Sequence, residues 1–235
     1  MGSDDLFKKR KARQKEELER KKATRGSHKK ILIVCEGSKT EPLYFEEIRT
    51  VLGLNSAVIE IDGSCDSSPK SVVEHAYNLY VHEKNSGDAY DKVFCVFDRD
   101  EHTTFHSSIQ FIKHKNIEFL GAGFNQDDKV FICIISEPSF EYWYLLHYLN
   151  TTRPFTRVGK KSAGDRVIDD LKVYYPEYEK KSKGFYKKSL HEETLDAAIA
   201  ASTRIYDNAK TSKIYNPSTN AHILVNELTS LKEQQ

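Results

Sequence analysis

Apolar and polar positions change rhythm twice along the chain. Up to about residue 28 the chain is almost entirely polar. Leu6, Phe7 and Leu18 are too sparse to pack a core face, and i,i+4 opposite charges such as Glu17 and Lys21 suit a loose helix or a disordered segment. From Lys30 onward, short unbroken apolar runs alternate with stretches of helical period. KILIVC (30–35) reads as a strand buried on both faces, and AVIEI (57–61), KVFCVF (92–97) and KVFICII (129–135) read as the second, third and fourth strands. Between them the pattern predicts a helix beginning near Glu41, with Thr40 as its cap and Pro42 in its first turn. Its apolar stripe is Tyr44, Phe45, Ile48 and Leu52, and Gly53 ends it. A second helix is expected over 69–83 (Val72, Val73, Ala76, Leu79 and Tyr80 inward), a third over 104–115, and a fourth from about Pro138 through SFEYWYLLHYL. After residue 150 no strong strand is visible. Residues 160–175, 190–210 and 217–231 read as helical, punctuated by Pro154, Pro176, Gly184 and Pro217.

The βαβαβαβα alternation calls for crossover helices. The fold class is therefore α/β, a mainly parallel, Rossmann-like sheet flanked by helices, with a C-terminal α-helical annex. The expected division is a basic arm over 1–28, the α/β domain over 29–150 and the helical extension over 151–235.

Charge sharpens this division. Residues 1–30 hold 12 Lys/Arg against 5 Asp/Glu, while the remainder holds 24 against 30, so a net charge of +1 conceals a basic arm on an acidic body. The arm suits phosphates or an acidic partner, and it equally suits a solvated terminus. Mean hydropathy is −0.63, yet 13 Tyr and 12 Phe supply core mass. No apolar run reaches membrane-spanning length and no apolar signal region opens the chain, so a cytoplasmic protein without a membrane partner is expected. Cys35, Cys65, Cys95 and Cys133 lie far apart with no C-x-x-C pair, which disfavours a zinc ribbon or a disulfide framework.

The candidate chemistry lies at the strand ends. Glu36 follows the first strand, Asp98 ends the third with Asp100 two positions on, and Glu137 ends the fourth with Glu141 one helical turn beyond. In an open parallel sheet these positions project from one edge, where ligands bind. Converging carboxylates need a cation among them, and oxygen donors without thiolates suit Mg²⁺ or Mn²⁺ rather than zinc. Lys39 and Arg99 flank the cluster as candidate phosphate ligands. Gly37 and Ser38 can present backbone N–H groups to an anion. Each of these residues has an ordinary alternative, as a helix cap or a solvated loop charge.

The E-G turn after the first strand and D-R-D after the third resemble the Toprim fold of topoisomerases, primases, recombination mediators and OLD-family nucleases. ILIVCEGSKTEPLYFEEI, VFCVFDRD, SEPSFEYWYLLHY and NPSTNAHILVNEL together resemble the RloB family of bacterial Toprim-like proteins. The resemblance implies a metal-dependent phosphodiester reaction in a bacterial defence system. Glu36 matches the acid/base or metal-binding glutamate, and Asp98 and Asp100 match the metal-binding aspartates. Glu41 matches a second acidic position of the nuclease-like branch, and Glu141 matches the F-E-x-W glutamate. DNA or RNA, an ABC-type ATPase and a second copy of the chain are the partners to consider. Three functions fit: a Mg²⁺-dependent nuclease, a non-catalytic nucleic-acid-binding or adaptor module working with an ATPase, and a toxin acting on an RNA such as tRNA.

Among the remaining features, His102 and His106 read as a surface pair, His147 as packed, and Phe140, Trp143 and Tyr144 as core. The segment KKSKGFYKK (180–188) reads either as a basic loop tracking a nucleic-acid backbone with Phe185 and Tyr186, or as a plain surface loop.

Overall fold

The computed structural model describes residues 29–55, 59–66, 68–99, 103–125 and 128–233, together with 12, 13, 16 and 20. Asp100, His102 and the expectations for the N-terminal arm beyond those four positions lie outside the described residues.

The elements run β1 (Ile31–Cys35), α1 (Thr40–Leu52), β2 (Ile59–Asp62), α2 (Pro69–Ser86), β3 (Lys92–Asp98), α3 (Phe105–Leu120), β4 (Phe131–Glu137), α4 (Glu141–Leu145), α5 (Ala163–Tyr174), α6 (Phe185–His191), α7 (Leu195–Ser212), β5 (Ser218–Thr219) and α8 (Ala221–Glu233). The sheet order is β2-β1-β3-β4-β5, with every pairing parallel except β4 with β5. β1 is fully buried along its length, as its unbroken apolar run requires of an interior strand.

Side-chain alternation along β1 sorts the helices into two layers. Ile31, Ile33 and Cys35 join Tyr44, Phe45 and Ile48 of α1, Trp143 of α4 and Leu224, Val225 and Leu228 of α8. Leu32 and Val34 face the other way, onto Val72, Val73 and Ala76 of α2 and Ile112 of α3. Right-handed crossovers account for this: the step β1 to β2 runs opposite to the steps β2 to β3 and β3 to β4, so its helix lands on the other face.

Caps set several boundaries. The Ser68 hydroxyl accepts the Ser71 N–H at the start of α2, and left-handed glycines close α1 at Gly53 and α2 at Gly87. Three expectations change. Thr40 is the first residue of α1 rather than its cap, and its hydroxyl donates to the Lys180 carbonyl at 3.4 Å. The aromatic segment after β4 is helical only over Glu141–Leu145, every residue of it buried. The segment 180–188 is not a loop throughout. Phe185 opens α6, buried with Tyr186, and stacks on Tyr144 with ring centroids 3.9 Å apart.

Beyond residue 150 the chain returns to the sheet. β5 extends it by two residues, Ser136 facing Thr219 and Glu137 facing Ser218. Asparagine side chains then tie the polypeptide together. Asn220 accepts from Ile135 N–H at 2.6 Å and donates to the Cys133 carbonyl at 3.0 Å, while Asn216 spans the Phe155 backbone.

Candidate active site

The chain goes left from β1 to β2 and then crosses back to β3, so the crevice beyond the carboxyl ends of β1 and β3 is a topological switch point. Glu36 and Asp98 stand at its two lips. The Glu36 N–H donates to the Val96 carbonyl at 2.9 Å, prolonging the ladder, and its carboxylate accepts the Asp98 N–H at 3.2 Å. Gly37 then turns the chain at φ +75°, a conformation open to glycine. Ser38 and Lys39 follow as exposed residues at the mouth of α1, with Lys39 in the N-cap position and making no side-chain cap.

Two more carboxylates come in from helices. Glu41 lies in the first turn of α1 at 7% exposure, and Glu141 opens α4 at 3%. Burial raises the Glu41 carboxyl from the usual range to about 8. Its own backbone N–H pulls it back, Glu141 and Glu36 push it further, and Lys180 opposes them. Burial, then Glu41, Glu141 and Glu36, likewise hold Asp98 well above the usual carboxyl range, again against Lys180. These four acids, from β1, α1, β3 and α4, therefore sense one another's charge. Glu141 is fixed by the Tyr178 hydroxyl, which donates to it at 3.0 Å.

Arg99 turns away along the edge. Its N–H donates to the Ser136 carbonyl at 2.7 Å, its guanidinium pairs with Glu137 at 3.3 Å, and Phe105 and Tyr215 cover it at 5.0 and 5.3 Å. The structure thus draws Glu36, Glu41, Asp98 and Glu141 together, with Gly37, Ser38 and Lys39 on the adjoining turn, and commits Arg99 to Glu137. No group of three His, Cys, Asp or Glu side chains among the described residues has metal-holding spacing.

Three contributors, Tyr178, Glu47 and Gly63, carried no signal in the sequence pattern, and a fourth, Lys180, was legible only as part of the basic 180–188 segment. Tyr178 and Lys180 come from the segment between α5 and α6. Glu47 of α1 accepts the backbone N–H groups of Gly184, Tyr186 and Lys187 at 2.9, 3.3 and 3.0 Å, which docks that segment beside the acids. Gly63 lets the loop after β2 touch the turn, since a Cβ there would lie 2.4 Å from the Gly37 carbonyl oxygen. Beside Asp98 opens a cavity of about 540 Å³, walled by Arg99, Glu137, Ser139, Arg157 and Lys180.

No helix among the described residues is long and apolar enough to cross a membrane. No curated protein and no solved structure matches the chain. The family described as RloB-like protein matches residues 31–228, most of the chain and all of the edge that carries these acids, and the protein belongs to the RloB-like family.

Proposed function

We propose that the protein hydrolyses phosphodiester bonds of DNA or RNA with Mg²⁺ or Mn²⁺, as a nuclease of a bacterial defence system working beside an ABC-type ATPase. The observation that carries this reading is the Glu36–Asp98 pairing across the switch point, with Glu41 and Glu141 within the same electrostatic field. The donor chemistry fits a hard divalent cation. It is all oxygen, and partly buried acids that raise one another's proton affinity are relieved by positive charge among them. Glu36 and Asp98 with Asp100 are the residues to hold it, and Glu41 and Glu141 support them. When bound, such a cation neutralises charge developing on the phosphate and lowers the pKa of a water.

The chain's own groups then divide the work. Glu36, held by the Asp98 N–H, is oriented as the base toward the attacking water. Glu41 carries a proton at neutral pH before cation binding and suits delivery of a proton to the leaving oxygen. Glu141, locked by Tyr178, keeps the α4 side of the site rigid.

Purified protein, alone or with its ATPase partner, is expected to cut nucleic acid with Mg²⁺ or Mn²⁺, and Asp98→Ala with Asp100→Ala to abolish cutting. Cleavage surviving that double change removes the site. Calorimetric Mn²⁺ titration separates the enzyme from a binding-only module: nucleic-acid binding without any Mn²⁺ uptake favours the module. Sequencing RNA from expressing cells distinguishes an RNA-directed toxin from a DNA nuclease.

A further inference from the structure

We propose that the cavity between the strand edge and the start of α5 is a subsite for a nucleotide phosphate of a single nucleic-acid strand, held by Arg157, Lys180 and the Ser139 hydroxyl. It deepens the function proposed above, because the phosphate it would hold belongs to the strand presented to Glu36 and Asp98.

Size points to the ligand class. About 540 Å³ falls in the small-ligand range of roughly 300–1,000 Å³ and admits a nucleotide or two rather than a duplex. Asp98 forms one wall, so whatever enters lies against the acidic cluster. Charge points to a phosphate. Arg99 and Glu137 on the lining answer each other as an ion pair at 3.3 Å. Arg157 and Lys180 add two solvent-exposed cations, so with Arg99 the lining carries three cations against two acids, Asp98 and Glu137. Lys180 is placed rather than loose: its carbonyl accepts the Thr40 hydroxyl at 3.4 Å, one residue from Glu41.

Ser139 and the first turn of α5 add polar groups to the lining. Ser139 is only 8% exposed, yet its Oγ meets no hydrogen-bond partner, which leaves a buried hydroxyl unsatisfied unless something fills the cavity. Ala163 and Gly164, at the start of the 12-residue α5, also line the cavity, and first-turn N–H groups have no partner within the helix. The Ser162–Asp165 capping box is closed on itself, with Ser162 Oγ accepting the Asp165 N–H at 3.1 Å, so its acid is directed at the cap. Gly164 keeps α5 close to Ser139, since a Cβ on it would lie 3.4 Å from Ser139 Oγ.

The test is fluorescence anisotropy with a labelled single strand of roughly 10 nucleotides, a length within single-strand site sizes. The full chain is used in Ca²⁺, a hard cation that takes the same oxygen ligands. Labelled DNA strands, labelled RNA strands and a labelled mononucleotide form separate arms. Lys180→Ala and Arg157→Ala are each expected to weaken binding about tenfold and to lower the slope of log K against log salt by roughly 0.7. Lys180→Arg should restore both, and Lys172→Ala on exposed α5 should change neither. Ser139→Ala should weaken binding with the salt slope kept. Binding of a labelled mononucleotide, with no binding of either strand, overturns the strand assignment. Unchanged affinity and salt slope in both cation variants, or no binding by the unsubstituted protein, overturns the subsite. Normal cleavage with unaltered binding in the variants sinks the subsite alone, whereas cation-dependent binding without any cleavage sinks only the nuclease.

Discussion

Gly63 shows how one missing side chain shapes the site. A Cβ there would lie 2.4 Å from the Gly37 carbonyl oxygen and 2.7 Å from Pro42 Cγ, so the loop after β2 can rest on the Glu36–Gly37 turn only as glycine. Gly63→Ala must push that turn away, and overpacking of this kind costs about 1–3 kcal/mol. Urea denaturation measures the loss, and Mn²⁺ affinity should fall with it. Proton affinity gives a second prediction. Glu41, raised to about 8 in the folded protein, keeps a proton that the unfolded chain has released above the usual carboxyl range. A raised carboxyl stabilises at low pH and loses that contribution as pH climbs through its folded value. His147 and His222, pushed down by burial to about 3 and about 4, act in the opposite sense but only below about pH 6.5. Metal-free protein should therefore lose melting temperature between pH 6.5 and 8. Glu41→Gln should flatten that slope, and a slope unchanged in the variant would contradict the assignment. Added Mg²⁺ should raise the melting point more at pH 8 than at pH 6.5, because the acids bind it only when ionised.

At the scale of elements, α6 is held by one acid. Glu47 receives three backbone N–H groups at the start of α6, where Gly184 takes φ +94° and no side chain caps the helix. A carboxylate there also meets the positive end of the helix. Glu47→Ala is expected to cost about 2–3 kcal/mol in urea denaturation and to loosen the 176–184 segment in hydrogen exchange. Glu47→Gln, which keeps an acceptor, should lose less. Tyr178 and Lys180 ride on this segment, so Glu47→Ala should also reduce nucleic-acid binding without touching an acid of the site.

Across the whole molecule, the C-terminal helices and the sheet share one core. Leu228 and Val225 of α8 sit in the same cluster as Ile31, Ile33 and Trp143, all fully buried. Leu228→Ala should cost about 2–5 kcal/mol and shift one unfolding transition seen alike by tryptophan fluorescence and circular dichroism. Two separated transitions would contradict a shared core. The tail N-P-S-T-N-A-H has a structural account at this scale. Asn216 clasps Phe155, Asn220 caps β4 backbone groups, and Ser202 receives His222 at 2.7 Å, so these polar residues lock the edge strand.

The sequence by itself determined the four parallel strands, their crossover helices and the placing of Glu36 and Asp98 at one edge, but not the antiparallel β5, whose residues 218–219 it read as helical. Unbroken apolar runs and helical periods are local signals, and a βαβ chain has one favoured hand. The end of α1 at Gly53 and the start of α2 at Ser68–Pro69 were legible for the same reason. The sequence also placed Glu141 with these acids; tertiary structure alone decided that the helix carrying it is only five residues long, that Arg99 turns to Glu137, and that Phe185 and Tyr186 are core. It also brought Lys180 and Tyr178 across from a segment about 140 residues beyond β1. Such contacts depend on which distant surfaces meet when the apolar faces are buried, and no local periodicity encodes that.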